Sequence, residues 1–432
     1  MSAVKQTTVT ESRILQFVHR NIEEISTDRA LVLYGGILAL LHVLAFLHWE
    51  FVHPLRKILD PGHEAAVCWP FFENCQAWRV LSPALVEIIL RIYLVFAIWT
   101  AFLFFKKKNI FSAWIALLLL NAFKALIIFQ DYRLVLNQHY MTFWVTLAFL
   151  FLPDKRQVLR YLIAGFYFWA GTLKFTPEWI SGAALYGKKP LGIPESLIPA
   201  SCVYVIILEL VIVLGVFARN RWLFWGSFLQ LVLFHIASWP IVNFFYPTLM
   251  LSILSIYPLA RYVRDPLRPE NDPPLSVDLQ KFFRGQEGLG TYVLVGLFAF
   301  FQFVPFAFPG NQSITGEGRM FALHMFDAPL ECNAWATLRS KQGQRDIAMQ
   351  SSYLPPRISC DPAVYFSLAK DLCRRANLQR DFGSVELHLE VRRSTQKEFT
   401  TLIDQRDFCA KDLHYDLWKH NSWILTPREN KQ

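Results

Sequence analysis

Charge is scarce in this sequence: Asp, Glu, Lys and Arg make up 18% of its 432 residues, against 54% hydrophobic and 16% aromatic. That balance excludes an ordinary soluble enzyme and fits a polytopic membrane protein. Cysteine is also sparse, with seven residues and no C-x-x-C among them, which excludes a thioredoxin-type redox pair and a four-cysteine zinc site. Metal ligation by His139 and His235 is possible, but no H-E-x-x-H or close His/carboxylate spacing supports it, so no metal is expected. Internal repeats and low-complexity segments are missing. No cleavable signal precedes the first apolar run: residues 1–29 are polar and mixed in charge, so that run is expected to be retained as an anchor. The formal charge of +9 lies in short clusters between apolar runs, where it sets topology, and no nucleic-acid partner is expected.

What is present is a series of apolar runs near 30–49, 85–105, 110–129, 140–152, 158–175, 198–217, 222–238, 244–260 and 290–308. A bilayer needs roughly 20 residues per helical crossing, which gives about nine spans. The loop charges follow the same count. Lys5, Arg13, Arg20 and Arg29; Lys106, Lys107 and Lys108; Lys155 and Arg156; Arg219 and Arg221; and Arg261, Arg264, Arg268, Lys281 and Arg284 fall in alternate loops. The intervening loops hold only Arg56, Lys57, Arg79, Arg133, Lys188 and Lys189. The positive-inside rule then places the N-terminus in the cytoplasm and the chain after about residue 309 outside, in a periplasm or lumen. The expected organisation is a cytoplasmic segment 1–29, a transmembrane domain 30–308 and an extracytoplasmic domain 309–432.

The tail carries soluble-domain signals. Asp361-Pro362 opens a helix through Arg375, while Val385, Leu387, Leu389 and Val391 alternate with polar residues as a half-buried strand. An α+β or β-rich domain is expected, joined through a cytoplasmic linker at Pro266–Leu275 that lies before the last span. Cys68 and Cys75 lie in the first outer loop and Cys332, Cys360, Cys373 and Cys409 in the tail. In an oxidising compartment these pair, either between loop and tail or within each, leaving Cys202 as the odd one.

Ionisable residues within the spans need a reason to be there. Glu87 and Arg91 are spaced as an i, i+4 ion pair. Lys124, His139, Lys174, Glu209 and His235 fall at one depth toward the outer side, where a polar cavity is expected; Glu209 can pair with Lys124. Lys174 ends an apolar aromatic helix just before a Thr-Pro-Glu-Trp turn. It is either an interfacial anchor or a base made usable by desolvation, with the histidines moving protons. Such a pocket, open to lipid and to the outside, suits an apolar reductant and a polar substrate together.

These residues stand in a recognisable order. Tyr167-Phe168-Trp169-Ala170-Gly171-Thr172-Leu173-Lys174, followed by Glu178-Trp179-Ile180-Ser181-Gly182, resembles the Y-F-x-A-G-x-x-K…x-W-x-x-G signature of vitamin K-dependent γ-glutamyl carboxylases and of bacterial horizontally transferred transmembrane (HTTM) domain proteins. Asn137-Gln138-His139-Tyr140 resembles the family's N-x-H-x-Y/L segment. Phe234-His235 with Asn243–Pro247 resembles its F-H…x-I-G-M-F-x-Y segment. Gly318–Met325, Pro356–Cys373 and Val385–Asp404 are similar to elements of its extramembrane domain. Leu323 stands in place of the family tryptophan, and Gln405 where proline often follows Asp404.

The resemblance implies an integral membrane carboxylase of glutamyl side chains. Its cosubstrates would be reduced vitamin K or another quinol, O2 and CO2, and its substrate a secreted peptide or protein. It makes Lys174 the base, with His139 and His235 as proton handlers and Asn137, Trp179 and Glu209 in supporting roles. It also implies a disulfide between Cys68 and Cys373. The alternative is a non-catalytic membrane scaffold or a lipid- or partner-binding protein of the same fold.

Overall fold

The computed structural model describes residues 13–60, 62–78, 82–107, 109–185, 187–263, 289–323, 330–340, 343–377, 382–409 and 413–426. The expected linker Pro266–Leu275, the basic residues Lys5, Arg79, Lys108, Arg264, Arg268, Lys281 and Arg284, and His324-Met325 lie outside the described residues.

Local sequence explains where the helices begin. Asp28 caps Arg29–Phe51 by accepting from the Ala30 and Leu31 amides. Ser82 caps Pro83–Phe105, Asn109 caps Ile110–Ile128 and Asn220 caps Arg221–Val242, each side-chain oxygen satisfying an amide that the first turn leaves open. Five helical runs are long and apolar enough to cross a membrane: Arg29–Phe51, Pro83–Phe105, Ile110–Ile128, Glu195–Phe217 and Arg221–Val242. The other expected crossings form helices that are shorter, more polar or broken. The run 140–152 falls mostly on Asn137–Phe151, 158–175 mostly on Lys155–Thr172 and 290–308 on Leu289–Phe303 and the short turn Val304–Ala307, while 244–260 is split into Phe245–Leu254 and Ile256–Tyr262. Among the described residues, length and composition alone carry five of the nine expected crossings.

Pro83–Phe105 shows why lipid is the solvent of these helices. Its Val86, Leu90, Tyr93, Ala97 and Phe104 are buried, yet Ile88, Ile92, Val95, Ile98 and Phe102 form an exposed stripe on the other face. A helix apolar on both faces is stable only where one face meets protein and the other hydrocarbon. It crosses Arg29–Phe51 closely. A Cβ on Gly35 would come within 2.6 Å of the Phe104 ring, so the small residue sets the approach of the two helices.

The loops segregate to two ends. At one, the N-terminal helix Arg13–Thr27 and Asp28 meet the 152–156 turn: Lys155 donates to Asn21, Arg156 pairs with Asp28, and Arg156 also donates to the Ala260 carbonyl at 3.0 Å. Arg261 donates to the Ala218 and Arg219 carbonyls there. At the other end the first loop and residues 131–135 join the tail. Cys68 N–H donates to Ser367 at 2.6 Å and Tyr132 O–H to Asp361 at 3.1 Å, while Arg133 binds Asp131 and Glu64, both at 2.8 Å. The two sets match the alternation of basic and weakly basic loops.

The tail forms an antiparallel sheet of β1 (Leu330–Ser340), β2 (Gly343–Ala348), β3 (Phe382–Arg393) and β4 (Thr400–Gln405), in the order β2-β1-β3-β4. The expected strand is β3. Val385, Leu387, Leu389 and Val391 are all buried and share a core with Ala363, Val364, Phe366 and Ala369 of the helix Pro362–Asn377.

The disulfide implied by the family resemblance is not formed. Cys68 bonds Cys75, Cys332 bonds Cys360 and Cys373 bonds Cys409, with Cα separations of 5.4, 5.6 and 5.5 Å. Cys68 and Cys75 are brought together by the local turns of their own loop, so each needs only a short ring closure. The loop is tied to the tail instead by hydrogen bonds and by Val67 and Trp69, which are buried in the tail's core, and Cys202 remains free and buried. Proteolytic mapping under non-reducing conditions is expected to release these three pairs and no peptide linking Cys68 to Cys373.

Asp361 sits at the seam between loop and tail. Burial pushes its carboxyl up to about 6, against the Ala363 amide and Tyr132 hydroxyl, which favour the anion. The folded protein thus holds this proton more tightly than the unfolded chain. Its contribution to stability is full below about pH 4 and is lost as pH rises through about 6, a change of at most about 3 kcal/mol. Asp361→Asn should remove that slope. In detergent, its unfolding midpoint relative to wild type is expected to climb between about pH 4 and about pH 7; a constant difference would mean the carboxyl titrates normally.

Candidate functional site

The lysine helix Lys155–Thr172 ends in a turn that carries Lys174, whose amide donates to the Gly171 carbonyl at 3.1 Å. Thr176 then caps the short helix Pro177–Ile180, which sets Trp179 beside the lysine. The ammonium lies 5.2 Å from the Trp179 ring centroid, a cation–π distance. Trp179 is itself fixed by donating its indole N–H to the Cys202 carbonyl at 2.9 Å.

Glu209 comes from the helix Ile198–Leu210. Lys174 Nζ donates to Glu209 Oε2 at 2.6 Å and to the Ala170 carbonyl at 3.1 Å, and both side chains are almost fully buried. The two helices can approach this closely because residue 171 is glycine. A Cβ there would lie 2.9 Å from the Leu210 side chain and 3.1 Å from Glu209 Cβ. Glu209 therefore pairs with Lys174, whereas Lys124 donates to the Thr142 hydroxyl at 2.6 Å, so the expected Lys124–Glu209 pair is not made.

His235 lies on Arg221–Val242. Its Nε2 shares a 2.5 Å hydrogen bond with the Tyr167 hydroxyl, and its Nδ1 is buried with no partner among the described residues. Lys174, Glu209, Trp179, Tyr167 and His235 all line one cavity of about 330 Å3, whose remaining wall is largely apolar. One further charge reaches it from the tail: Arg357 also lines this cavity. Burial lowers the Arg357 guanidinium to about 10, which leaves it cationic at neutral pH. It stands within electrostatic reach of Lys174 and Lys188.

Other expected site residues lie elsewhere. His139 does not line this cavity. It borders a much smaller void with His48, Gln138, Thr142, Phe245 and Leu249. Both His139 and Met141 are on Asn137–Phe151, but Met141 faces the large cavity and His139 turns to the other side. Asn137 is the first residue of that helix and is half-buried. Glu87 and Arg91 are 3.6 Å apart in an ion-pair network with Arg56 and Glu50, away from the cavity. The single cavity expected for Lys174, His139 and His235 thus contains two of the three.

No family model, characterised protein or solved structure matches the chain.

Arg357 and Tyr246 were missed as lining residues by sequence reasoning. Tyr246 sits in the quoted Asn243–Pro247 segment and carried a local signal. Arg357, in a Pro-Pro-Arg turn more than a hundred residues beyond the last cavity helix, carried none.

Removing one partner of a buried ion pair strands the other charge, at about 3–5 kcal/mol, while replacing both with apolar groups is close to neutral. Glu209→Gln is expected to cost an amount of that order in denaturant unfolding in detergent, and Lys174→Met combined with Glu209→Leu much less. Additive losses in the double variant would show that the two groups are not coupled.

Proposed function

We propose that this chain is an integral membrane enzyme of the γ-glutamyl carboxylase type, acting at the Lys174 cavity. The carrying observation is the buried Lys174–Glu209 pair set in the wall of an otherwise apolar cavity of about 330 Å3. The proposed orientation has a cytoplasmic N-terminus, an extracytoplasmic tail and nine crossings, with the shorter helices also within the bilayer; the loop charges support it.

The residues fit a quinol. The cavity walls match an apolar ring and chain, and the partnerless His235 Nδ1 and the Lys174 amine offer polar contacts at its edge. A reduced quinone of the vitamin K type, when bound, would supply with O2 the reducing power and strong base that removal of a glutamyl γ-proton requires, CO2 then adding to the carbanion.

The protein's own part is proton handling and positioning. In a low-dielectric site the ion pair and the neutral amine–carboxylic acid pair come close in energy. A proton passed from Lys174 to Glu209 along their 2.6 Å hydrogen bond frees an amine to accept a proton from a hydroxyl in the cavity. Trp179 holds the amine against one wall. The Tyr167 hydroxyl fixes the His235 ring, so that Nδ1 keeps a constant direction. Arg357 and Lys188, on the tail side, favour an anionic substrate such as a glutamyl carboxylate of a secreted peptide.

A second reading, a quinone- or lipid-binding protein without turnover, is favoured by one observation: the Lys174 amine already has a carboxylate and a carbonyl as partners. Purified protein given reduced vitamin K, labelled bicarbonate and glutamyl peptides is expected to incorporate label, and Lys174→Ala to lower the rate by about 10²–10⁴-fold, the usual contribution of a positioned base. Incorporation that survives Lys174→Ala would refute the role of the lysine. Quinol binding without incorporation would establish the second reading.

A further inference from the structure

The Lys174 cavity has a side that faces lipid. Two of the spanning runs, Glu195–Phe217 and Arg221–Val242, touch near the end of the bundle that holds Arg219 and Arg261, where a Cβ on Gly215 would collide with Ser227. Toward the tail the same two runs part and the cavity opens between them, with Ser201, Tyr204 and Val205 on one side and Gln230, Leu233 and Ala237 on the other. Although they line the cavity, Leu233 is 62% exposed and Tyr204 41%. Both stand about halfway along their helices, among the exposed apolar residues Ile207, Leu229 and Ile236. A wall residue exposed at that depth opens onto hydrocarbon, not water.

The opening has a defined frame. At its lower edge the Tyr204 hydroxyl donates to Gln230 Oε1 at 2.6 Å, and Gln230 Nε2 donates back to the Gly226 carbonyl at 2.8 Å. Polar side chains on a lipid-facing surface hold to each other because hydrocarbon offers them no other partner, so this bond fixes the helix spacing at that level. At the upper edge the Leu191 amide donates to the Ala237 carbonyl at 2.9 Å, laying the loop that carries Pro190 and Ile193 across the top. From Gln230 to Ala237 the helix rises about 10 Å at roughly 1.5 Å per residue, which is the height of the window.

What the window can pass follows from its lining. The two hydroxyls beside it, on Ser201 and Ser238, donate to the Ile198 and His235 carbonyls of their own helices at 2.7 and 3.0 Å, so its sides present hydrocarbon and no spare donor. Deeper in, polarity is concentrated in the Lys174–Glu209 pair, Arg357 and the His235 Nδ1 that has no partner among the described residues. An apolar window before a polar interior selects a molecule with a small polar head and an apolar chain. The cavity, about 330 Å3, is at the small end for ligand pockets, roughly 300–1,000 Å3. A long chain therefore has to leave it, and at the window it meets its own solvent.

We propose that the gap between Tyr204, Leu233 and Ala237 is a chain-binding subsite, through which a single-chain amphiphile from the bilayer enters head first toward Lys174 and in which its chain then lies. This rests on the reading of the Lys174 cavity as a site for an apolar ligand, and needs neither turnover nor a quinol head. Cys202 is a built-in reporter, because it lines the cavity and the other cysteines are all in disulfides. The test is alkylation of Cys202 in the full-length protein held in lipid bilayers, read by intact mass, with N-dodecylmaleimide dissolved in the bilayer and a sulfonated maleimide in the water. The dodecyl reagent is expected to label wild type. Leu233→Trp, which fills the window, should slow that labelling about tenfold, whereas Leu229→Trp, one turn away and outside the cavity lining, should leave it unchanged. Whatever its rate, the sulfonated reagent should react equally with wild type and Leu233→Trp. No dodecyl labelling of folded wild type when the denatured chain labels fully, equal slowing by both tryptophans, or equal slowing of both reagents by Leu233→Trp would each overturn the proposal. A failed carboxylation assay beside the expected labelling pattern would remove the enzyme reading and leave this one.

Discussion

A lysine ammonium and a glutamate carboxylate held 2.6 Å apart, away from water, are the contact on which the arrangement around the large cavity depends. Either charge alone would be untenable at that depth, so the two helices that carry them must stay in register. Gly171 lets them do so by removing the Cβ that would strike Leu210. The turn after the lysine helix then has little freedom. Trp179 is held to Cys202 by its indole N–H, and Glu178, next to it, pairs with Arg393 at the end of β3. The C-terminal sheet region is thereby fastened to the loop that fixes the lysine, and the tail contributes Arg357 to the same cavity.

This construction gives the tail domain a positioning role. Its sheet and helix make a conventional core, closed by the disulfides Cys332–Cys360 and Cys373–Cys409, and it meets the helical bundle through hydrogen bonds and ion pairs as well as through Val67, Trp69 and Tyr132, which are buried in that same core. Polar contacts of that kind need aligned partners to be worth more than the water they displace. They therefore fix orientation, while the shared apolar core of Val67, Trp69 and Tyr132 supplies adhesion. The helix Phe245–Leu254 does the complementary job inside the bundle. By facing Tyr246 and Met250 one way and Phe245 and Leu249 the other, it keeps two polar clusters electrically apart within an apolar frame.

His139 shows how much of the site was legible in the sequence. Counting along apolar runs fixes how far a residue lies from a helix end, because each residue rises a constant 1.5 Å or so. It therefore gave a common depth for His139, Lys174 and His235. It did not give the direction each side chain faces, which depends on how each helix is rotated against its neighbours. Residues two apart, such as His139 and Met141, point to nearly opposite sides of a helix, and the packing of Asn137–Phe151 turned the methionine to the cavity. The same gap explains Glu209, whose partner was Lys174 rather than the equally deep Lys124.

The sequence by itself determined the membrane character, the alternation of loops between two ends, the strand at Val385–Val391 and the odd status of Cys202. All of these follow from local hydrophobicity, charge and spacing. Only the tertiary structure decided which charges meet, that Arg357 enters the cavity from a separate domain, and that Cys68 closes on Cys75. Each of those depends on the relative rotation and approach of elements far apart in the chain, set by packing contacts that no single segment encodes.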